Sequence, residues 1–219
     1  EDYRETVRLG FDGRTLSVDV DFYLEVIRKN LATGIEKAHA FAADVPPTYF
    51  VHEATDYRLS DTQDVNGNPH IHVNSFKPKP LPSFLEGPVR LMRISDKPQA
   101  QILANAVRES DLFDKTLEMY KVNASLASQP HEIGRARAFT PGWLENESIW
   151  LHMSFKYLLA LLKAGLFDEF FRALKSHLPA YMNPEIYGRS PLENSSFIVS
   201  SVHPDPTYHG RGFVARLSG

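Results

Sequence analysis

The strongest helical pattern in this 219-residue chain lies in residues 150–178, WLHMSFKYLLALLKAGLFDEFFRALKSHL. In its first half, apolar residues occupy nearly every side of a helix, and such a helix must be buried on most sides. Gly165 interrupts the pattern, and the second half is amphipathic, with large apolar residues on one side and Asp168, Arg172 and Lys175 on the other. The two halves predict an αα-hairpin, the unit from which helical toroids and solenoids are built.

Three further segments have helical periodicity. Residues 20–41 carry an apolar residue every three or four positions, a second pattern follows Ser95-Asp96, and a third covers residues 113–122. No internal repeat is evident, which favours a toroid over a regular solenoid. The sequence therefore predicts a mainly α fold with long loops and few short strands.

Residues 44–95 differ from the helical segments because they are rich in proline, glycine and polar residues. This composition predicts a long, loop-rich insertion within one domain that spans residues 1–219. Only His70-Ile71-His72-Val73 has the alternation of a short strand.

Composition excludes several classes of protein. The formal charge is -3, and the chain lacks the basic surface with which proteins bind nucleic acids or membranes. It contains no cysteine, which excludes disulfides, thiolate metal sites and cysteine nucleophiles. No apolar run is long enough to span a membrane, and no signal peptide is recognisable, which predicts a cytoplasmic location. Because the chain begins at Glu1 and ends without a polar tail, we interpret it as a piece of a larger protein.

The first candidate site is residues 141–148, PGWLENES, at the start of the buried helix. Glu145 and Glu147 are candidate catalytic residues, because a carboxylate there can orient sugar hydroxyls or act as a base. The alternative is that both acids only stabilise the dipole of the following helix. Further candidates are the aromatic and amide side chains that bind sugars, Trp143 and Asn146, and an imidazole that binds an anion, His152.

A second polar segment, residues 187–196 with sequence YGRSPLENSS, is expected at the rim of an α-rich fold. Arg189, Glu193 and Asn194 suit a ligand that is rich in hydroxyl groups. The alternative is that the Asn-Ser-Ser sequence caps the next element.

The third segment, His209-Gly210-Arg211-Gly212, leads to residues 216–219, RLSG. Glycines allow backbone amides to approach an oxyanion, and an arginine and a serine hydroxyl add charge-assisted hydrogen bonds. We therefore predict a phosphate site that includes Arg211, Ser218 and Gly219. An ordinary turn with a solvated arginine is the alternative.

Two weaker candidates remain. His70 and His72 have the spacing of two metal ligands, but no third ligand is evident, and we predict no metal site. Arg135 and Arg137 suit an anion or simply the solvent.

Together these segments resemble the inverting glycoside phosphorylases of the cellobiose and chitobiose phosphorylase family. Members carry Pro-Gly, then Glu-Asn-Gly-Gly, then a histidine. Pro141-Gly142, Glu145-Asn146 and His152 fall in the same register, although Glu147-Ser148 replaces the two glycines. Leu217-Ser218-Gly219 is similar to the family's Leu-Thr-Gly sequence at the phosphate site. The similarity covers mainly residues 140–219.

The resemblance implies that the chain is the C-terminal portion of an (α/α)6 barrel. It implies that His152, Ser218 and Gly219 bind phosphate and that Glu145 contacts the sugar at the cleaved bond. The family's general acid lies in an Asp-Trp-Asn-Asp-like motif that this chain lacks, which implies that the acid precedes Glu1.

The leading functional expectation is a carbohydrate-active enzyme that cleaves a β-glucoside-like bond by inverting phosphorolysis. Its ligands are a disaccharide or small oligosaccharide and inorganic phosphate as co-substrate, without another cofactor, and its protein partner is the rest of the polypeptide or a second copy. One alternative is an inverting hydrolase on the same barrel, with Glu145 or Glu147 as base. Another is a non-catalytic α-toroid that binds sugar or serves as a scaffold.

Overall fold

The computed structural model of the chain describes residues 10, 13, 15, 17–40 and 44–215. The chain divides into two compact units, Glu1–Ala40 and Phe41–Gly219. In the first unit, α1 (Val20–Ala40) forms where apolar periodicity predicts a helix. Its first turn is capped by Asp19, whose carboxylate accepts hydrogen bonds from the backbone nitrogens of Asp21 and Phe22.

The second unit begins with a long antiparallel hairpin of β1 (Phe50–Gln63) and β2 (Pro69–Pro80). The connecting turn is closed by Asp64, whose Oδ1 accepts hydrogen bonds from the backbone nitrogens of Asn66 at 2.8 Å and Asn68 at 2.9 Å. The prediction of a loop-rich segment over residues 44–95 is therefore wrong for most of its length. Most residues on both faces of the hairpin are exposed, so the strands mostly lack the apolar alternation that identifies a strand in sequence. The short strand predicted at His70-Ile71-His72-Val73 is confirmed as part of β2.

Four helices form the main core: α2 (Glu86–Met92), α3 (Lys97–Glu109), α5 (Leu151–Lys163) and α6 (Phe167–His177). Helix α5 packs on α2 and α6, and α2 packs on α3. The αα-hairpin predicted from residues 150–178 is thus present as α5 and α6. Its first helix is less enclosed than predicted, because Leu159 and Leu162 are exposed.

Short elements complete the second unit. They are the hairpin of β3 (Phe113–Asp114) and β4 (Met119–Tyr120), the helices α4 (Arg135–Ala138) and α7 (Pro184–Tyr187), and a three-stranded sheet of β5 (Ile149–Trp150), β6 (Phe197–Ile198) and β7 (Gly212–Phe213). Three 3-10 turns lie at His131–Ile133, Pro179–Tyr181 and Pro206–Tyr208.

The helix predicted over residues 113–122 is wrong, because the chain reverses direction there. Asp114 accepts hydrogen bonds from the backbone nitrogens of Thr116 and Leu117, and Glu118 has φ +54°. A side chain that bonds the backbone ahead of it stabilises a turn in competition with a helix.

The prediction of a mainly α fold, as part of an (α/α)6 barrel, is also wrong. In its described residues the chain has seven α-helices and three small antiparallel sheets, which together make a mixed α+β fold. The periodicity of α5 and α6 identifies a helical hairpin, but it carries no information on what covers that hairpin. Of the helices that the structure describes, none combines the length and apolar character needed to cross a membrane.

Candidate functional site

A cavity of about 610 Å³ opens in the second unit, a size typical of small-molecule sites. Its polar lining consists of two carboxylates, a guanidinium and an imidazole: Glu86, Glu145, Arg135 and His152. Its aromatic lining consists of Tyr49, Phe84, Phe139 and Trp150. Aromatic faces together with a few charged groups are the combination that binds a ring carrying hydroxyls.

One wall of the cavity is built by the loop that connects α4 to β5. The backbone nitrogen of Gly142 donates to the carbonyl of Asn146 at 2.8 Å, and the Asn146 nitrogen donates to the carbonyl of Trp143 at 3.1 Å. The Asn146 side-chain amide donates to the carbonyl of Phe139 at 2.7 Å. Asn146 is therefore a buried structural residue that closes the loop.

The loop adopts a backbone conformation that non-glycine residues rarely take. Leu144 and Glu147 have φ +47° and +60°, each a cost of about 1–3 kcal/mol. Two contacts hold them: the Leu144 carbonyl accepts from Trp150 Nε1 at 2.7 Å, and the Glu147 nitrogen donates to Asn123 Oδ1 at 2.6 Å. Such strain clusters at functional sites.

Glu145 lies between the two strained residues. One of its carboxylate oxygens is in an ion pair, and the other has no partner among the described residues. Its Oε1 forms an ion pair with Arg135, whose side chain is 74% exposed. Its Oε2 is buried and has no hydrogen-bond partner among the described residues. Six other buried side-chain atoms of the described residues also lack a partner, but Glu145 Oε2 is the one carboxylate oxygen among them and its residue lines the cavity, so it indicates a bound donor there.

Glu147, in contrast to Glu145, is paired inside the protein. Its Oε2 lies 2.8 Å from Lys121 Nζ, and both side chains are almost fully buried. Glu147 does not line the cavity, so the structure brings only Glu145 of the two candidate catalytic acids to it.

Tyr49, Glu86 and His152 also line the cavity. The Tyr49 hydroxyl donates to Glu86 Oε2 at 2.7 Å, and this bond, with Arg90, lowers the pKa of Glu86. Partial burial lowers the pKa of His152, an effect that Lys156 reinforces and Glu86 opposes. At neutral pH, Glu86 is therefore charged and His152 is a neutral imidazole that can donate one hydrogen bond.

The second polar segment lies outside this cavity. Arg189 and Glu193 form an ion pair with each other at 3.0 Å. Asn194 accepts a hydrogen bond from the Ser195 nitrogen and lines a separate depression of about 330 Å³, whose lining shares only His152 with the cavity. The structure thus separates these three predicted sugar ligands from Glu145.

Trp143 does not line the cavity either, because it belongs to an aromatic cluster. Its ring lies 5.2 Å from that of Phe197 and 4.7 Å from that of Phe213. The tryptophan that lines the cavity is Trp150. The sequence offers one signal for Trp150, which lies two residues before the candidate His152. In the structure, the centroids of these two rings are 5.6 Å apart.

Of the predicted phosphate-binding residues, the structure places one at the cavity. His152 lines the cavity, whereas Arg211 is exposed near Gly188 and does not. Ser218 and Gly219 lie outside the described residues. Ala215, the last described residue, lines the cavity.

Sequence reasoning missed most of the remaining lining residues. Tyr49 and Glu86 are 37 positions apart, and their side-chain hydrogen bond has no local signal in the sequence. Arg135 was a weak anion candidate, and its exposed side chain instead pairs with Glu145 at the cavity. His70 and His72 lie on β2, and in the described part of the chain no three histidine, aspartate or glutamate side chains group as metal ligands.

In comparisons with known proteins, no protein-family profile and no curated protein matches this chain. The assignment of a function therefore depends on the residues and their geometry.

Proposed function

We propose that this chain supplies part of the saccharide and phosphate site of an inverting glycoside phosphorylase. The observation that carries the proposal is the cavity shared by Glu145 and His152, with a buried Glu145 oxygen that lacks a partner among the described residues. The resemblance of residues 140–219 to the cellobiose and chitobiose phosphorylases selects these two residues independently. A sugar hydroxyl at the free oxygen would satisfy it.

The lining suits a glucoside-like ring. Trp150 and Phe139 provide apolar surface against which the C–H face of a sugar can pack, and Glu145 and Glu86 accept hydrogen bonds from its hydroxyls. Two carboxylates in one cavity would fix the orientation of the ring as well as its position.

Phosphate would lie beside this ring. Arg135 and the neutral His152 are the donors on the cavity that suit it. In the proposed reaction, a general acid protonates the glycosidic oxygen as its bond to the anomeric carbon breaks, and a phosphate oxygen bonds that carbon from the opposite face. Phosphate is already an anion, so no catalytic base is needed.

In this proposal, the general acid comes from a part of the same polypeptide that precedes Glu1. We retain, as part of this proposal, the cytoplasmic location that the sequence predicts.

An inverting hydrolase is the second candidate, because the free oxygen of Glu145 is also available to activate water. Glu147 is not the base in this alternative, since its carboxylate is engaged by Lys121. A site that binds sugar without catalysis is the third candidate, and it requires the same cavity.

The test is to incubate the full-length polypeptide with cellobiose, with and without inorganic phosphate. We expect sugar 1-phosphate only when phosphate is present, and a decrease of about tenfold or more in kcat/KM for Glu145→Gln, because a charge-assisted hydrogen bond is lost. Glu193→Gln is the matched control, since Glu193 is exposed and outside the cavity. Thermal unfolding of both variants checks that the fold is retained.

The other candidates give different results. Release of free glucose at a rate independent of phosphate indicates the hydrolase. Binding without turnover on a broad panel of β-linked disaccharides, followed by titration calorimetry, indicates the third class. Absence of both turnover and binding contradicts the proposal.

A further inference from the structure

A second depression adjoins the cavity between α2 and α5. Its volume is about 170 Å³, and it shares Glu86 and Met153 with the cavity, so the two spaces meet at these residues. We call it the basic groove after its four cationic lining residues: Arg90, Arg93, Lys156 and Lys163. Its apolar lining is completed by Val89, Leu159 and Ala160.

Among the described residues, the positive charge of the basic groove is only partly balanced. Glu86 is the single carboxylate of its lining, and it is already engaged by Arg90 at 2.5 Å and by the Tyr49 hydroxyl. Arg93, Lys156 and Lys163 have no ion-pair partner within the part of the chain that the structure describes.

The formal charge of the chain is -3, so the net charge gives no sign of a local positive groove. Charges of one sign in a concave, partly apolar site focus their field on a small volume. The charge of Lys156 also reaches the cavity, because it lowers the pKa of both His152 and Glu86.

Helix geometry explains why the cations meet. Lys156 and Lys163 are two turns apart on one side of α5, and Arg90 and Arg93 lie at the C-terminal end of α2, which packs on α5. Positive charge is favourable at a helix C-terminus, which accounts in part for Arg93 and Lys163. The helix dipole does not account for Lys156, which lies in the middle of α5. It also does not explain why all four cationic residues line one groove.

We infer that the basic groove binds a negatively charged substituent of the saccharide held in the cavity, so that the substrate is an acidic oligosaccharide. The substituent is a carboxylate, sulfate or phosphate group on a sugar unit next to the one contacted by Glu145. A groove of 170 Å³ accommodates one such group, and its apolar lining suits the attached ring. This inference rests on the proposed function, because it extends the same ligand beyond Glu86.

The test compares saccharides that differ in one charged group, with the full-length polypeptide and titration calorimetry. The probes are cellobiose, the same disaccharide with a glucuronate as one of its units, and cellobiose carrying a 6-sulfate. We expect at least one acidic probe to bind about tenfold or more tightly than cellobiose, and this preference to decrease with added salt.

Variants locate the effect. In Arg93→Gln/Lys163→Gln, the preference for the acidic probe should fall to about twofold or less. Lys175→Gln is the matched control, because Lys175 is an exposed lysine on α6 outside the groove, and the preference should remain. The glucuronate and sulfate probes distinguish the two kinds of anion.

Each remaining outcome has a definite meaning. If cellobiose binds and no acidic probe binds more tightly, the inference is wrong and the proposed function stands. If the preference survives in the double variant, or if inorganic sulfate alone binds the groove as tightly as the acidic probes, the inference is also wrong. If none of the three saccharides binds, the proposed function itself fails.

Discussion

Two polar segments of this chain look alike in sequence and differ in structure. Residues 141–148 and residues 187–196 each combine a glycine, glutamate, asparagine and serine beside a helix. The first forms a wall of the cavity, whereas Arg189 and Glu193 of the second pair with each other at the surface.

The difference lies in what anchors each segment. The first is held from behind by a buried ion pair between Glu147 and Lys121, and by Asn123, which accepts a hydrogen bond from the Glu147 nitrogen. These contacts come from residues more than 20 positions away and hold Glu145 in a strained loop at the cavity. The hydrogen bonds of residues 187–195 in the second segment are local, such as that of the Tyr187 hydroxyl with Ser195 Oγ at 2.5 Å, and only its last residue, Ser196, bonds distant residues among those described. A site needs support from a distant part of the chain, and composition does not reveal that support.

The largest effect should come from breaking the anchor of the first segment. Lys121→Met leaves the Glu147 carboxylate buried without a counter-charge, and we expect a loss of about 3–5 kcal/mol in the free energy of unfolding. Denaturant unfolding of the variant measures this loss.

The matched change in the second segment is Arg189→Met, which removes one partner of a pair whose side chains are 29% and 58% exposed and should cost about 1 kcal/mol. Lys121→Met/Glu147→Met should recover much of the lost stability, because it removes both buried charges. Equal losses in the two single variants would contradict the proposed difference between the segments.

A smaller effect is expected from acid. His177 is buried, its Nε2 accepts a hydrogen bond from the Tyr120 nitrogen, and burial lowers its pKa from 6.5 to about 4. The folded state therefore favours neutral imidazole, and the unfolded state binds the proton more readily. The contribution of His177 is complete above pH 6.5 and is lost as the pH falls from 6.5 to about 4, in total about 3 kcal/mol.

His177 contacts the chain next to the anchor of the first segment, since Tyr120, which donates to it, directly precedes Lys121. The free energy of unfolding, measured from pH 7 to pH 4, should fall by about 3 kcal/mol more in the parent than in His177→Gln. Parallel pH profiles for the two proteins would show that His177 is not the titrating group.

The smallest difference concerns one glycine in each segment. A Cβ at Gly142, where φ is +82°, would lie 2.8 Å from the His203 nitrogen, so Gly142→Ala adds a steric clash to backbone strain. At Gly188, where φ is +71°, the nearest atom would be 3.9 Å away, and Gly188→Ala adds strain alone. We expect losses of about 3 and about 1 kcal/mol in the free energy of unfolding. A thermal unfolding scan that ranks Gly188→Ala as the more destabilised variant would contradict this reading of the loop.

The four longest helices of this protein were predictable, and of its strands only residues 70–73 of β2 were. The periodicity of residues 150–178 and the capping residue Asp96 locate α3, α5 and α6, because a helix that packs on a core repeats its apolar residues every three or four positions. Outside residues 70–73, the β1–β2 hairpin has no comparable signal, because strands exposed on both faces need no apolar alternation. The mainly α prediction failed for that reason.

The candidate site was predictable only in part. Glu145 and His152 were identified because they lie in one short segment with a family-like order of residues. Trp143 and Glu147 belong to the same segment, but the loop turns them into an aromatic cluster and a buried ion pair. The sequence has no marker for this, since the direction of each side chain depends on backbone angles that distant contacts impose.

By itself, the sequence determined the chain's local properties: where amphipathic helices form, the absence of cysteine, and the presence of carboxylates, amides and a histidine beside a helix start. These follow from interactions between residues a few positions apart. Tertiary structure alone decided that Tyr49, Glu86, Glu145 and His152 line one cavity, and that four cations line a groove beside it. The packing of helices and loops from distant parts of the chain brings these groups together, and no short-range pattern encodes it.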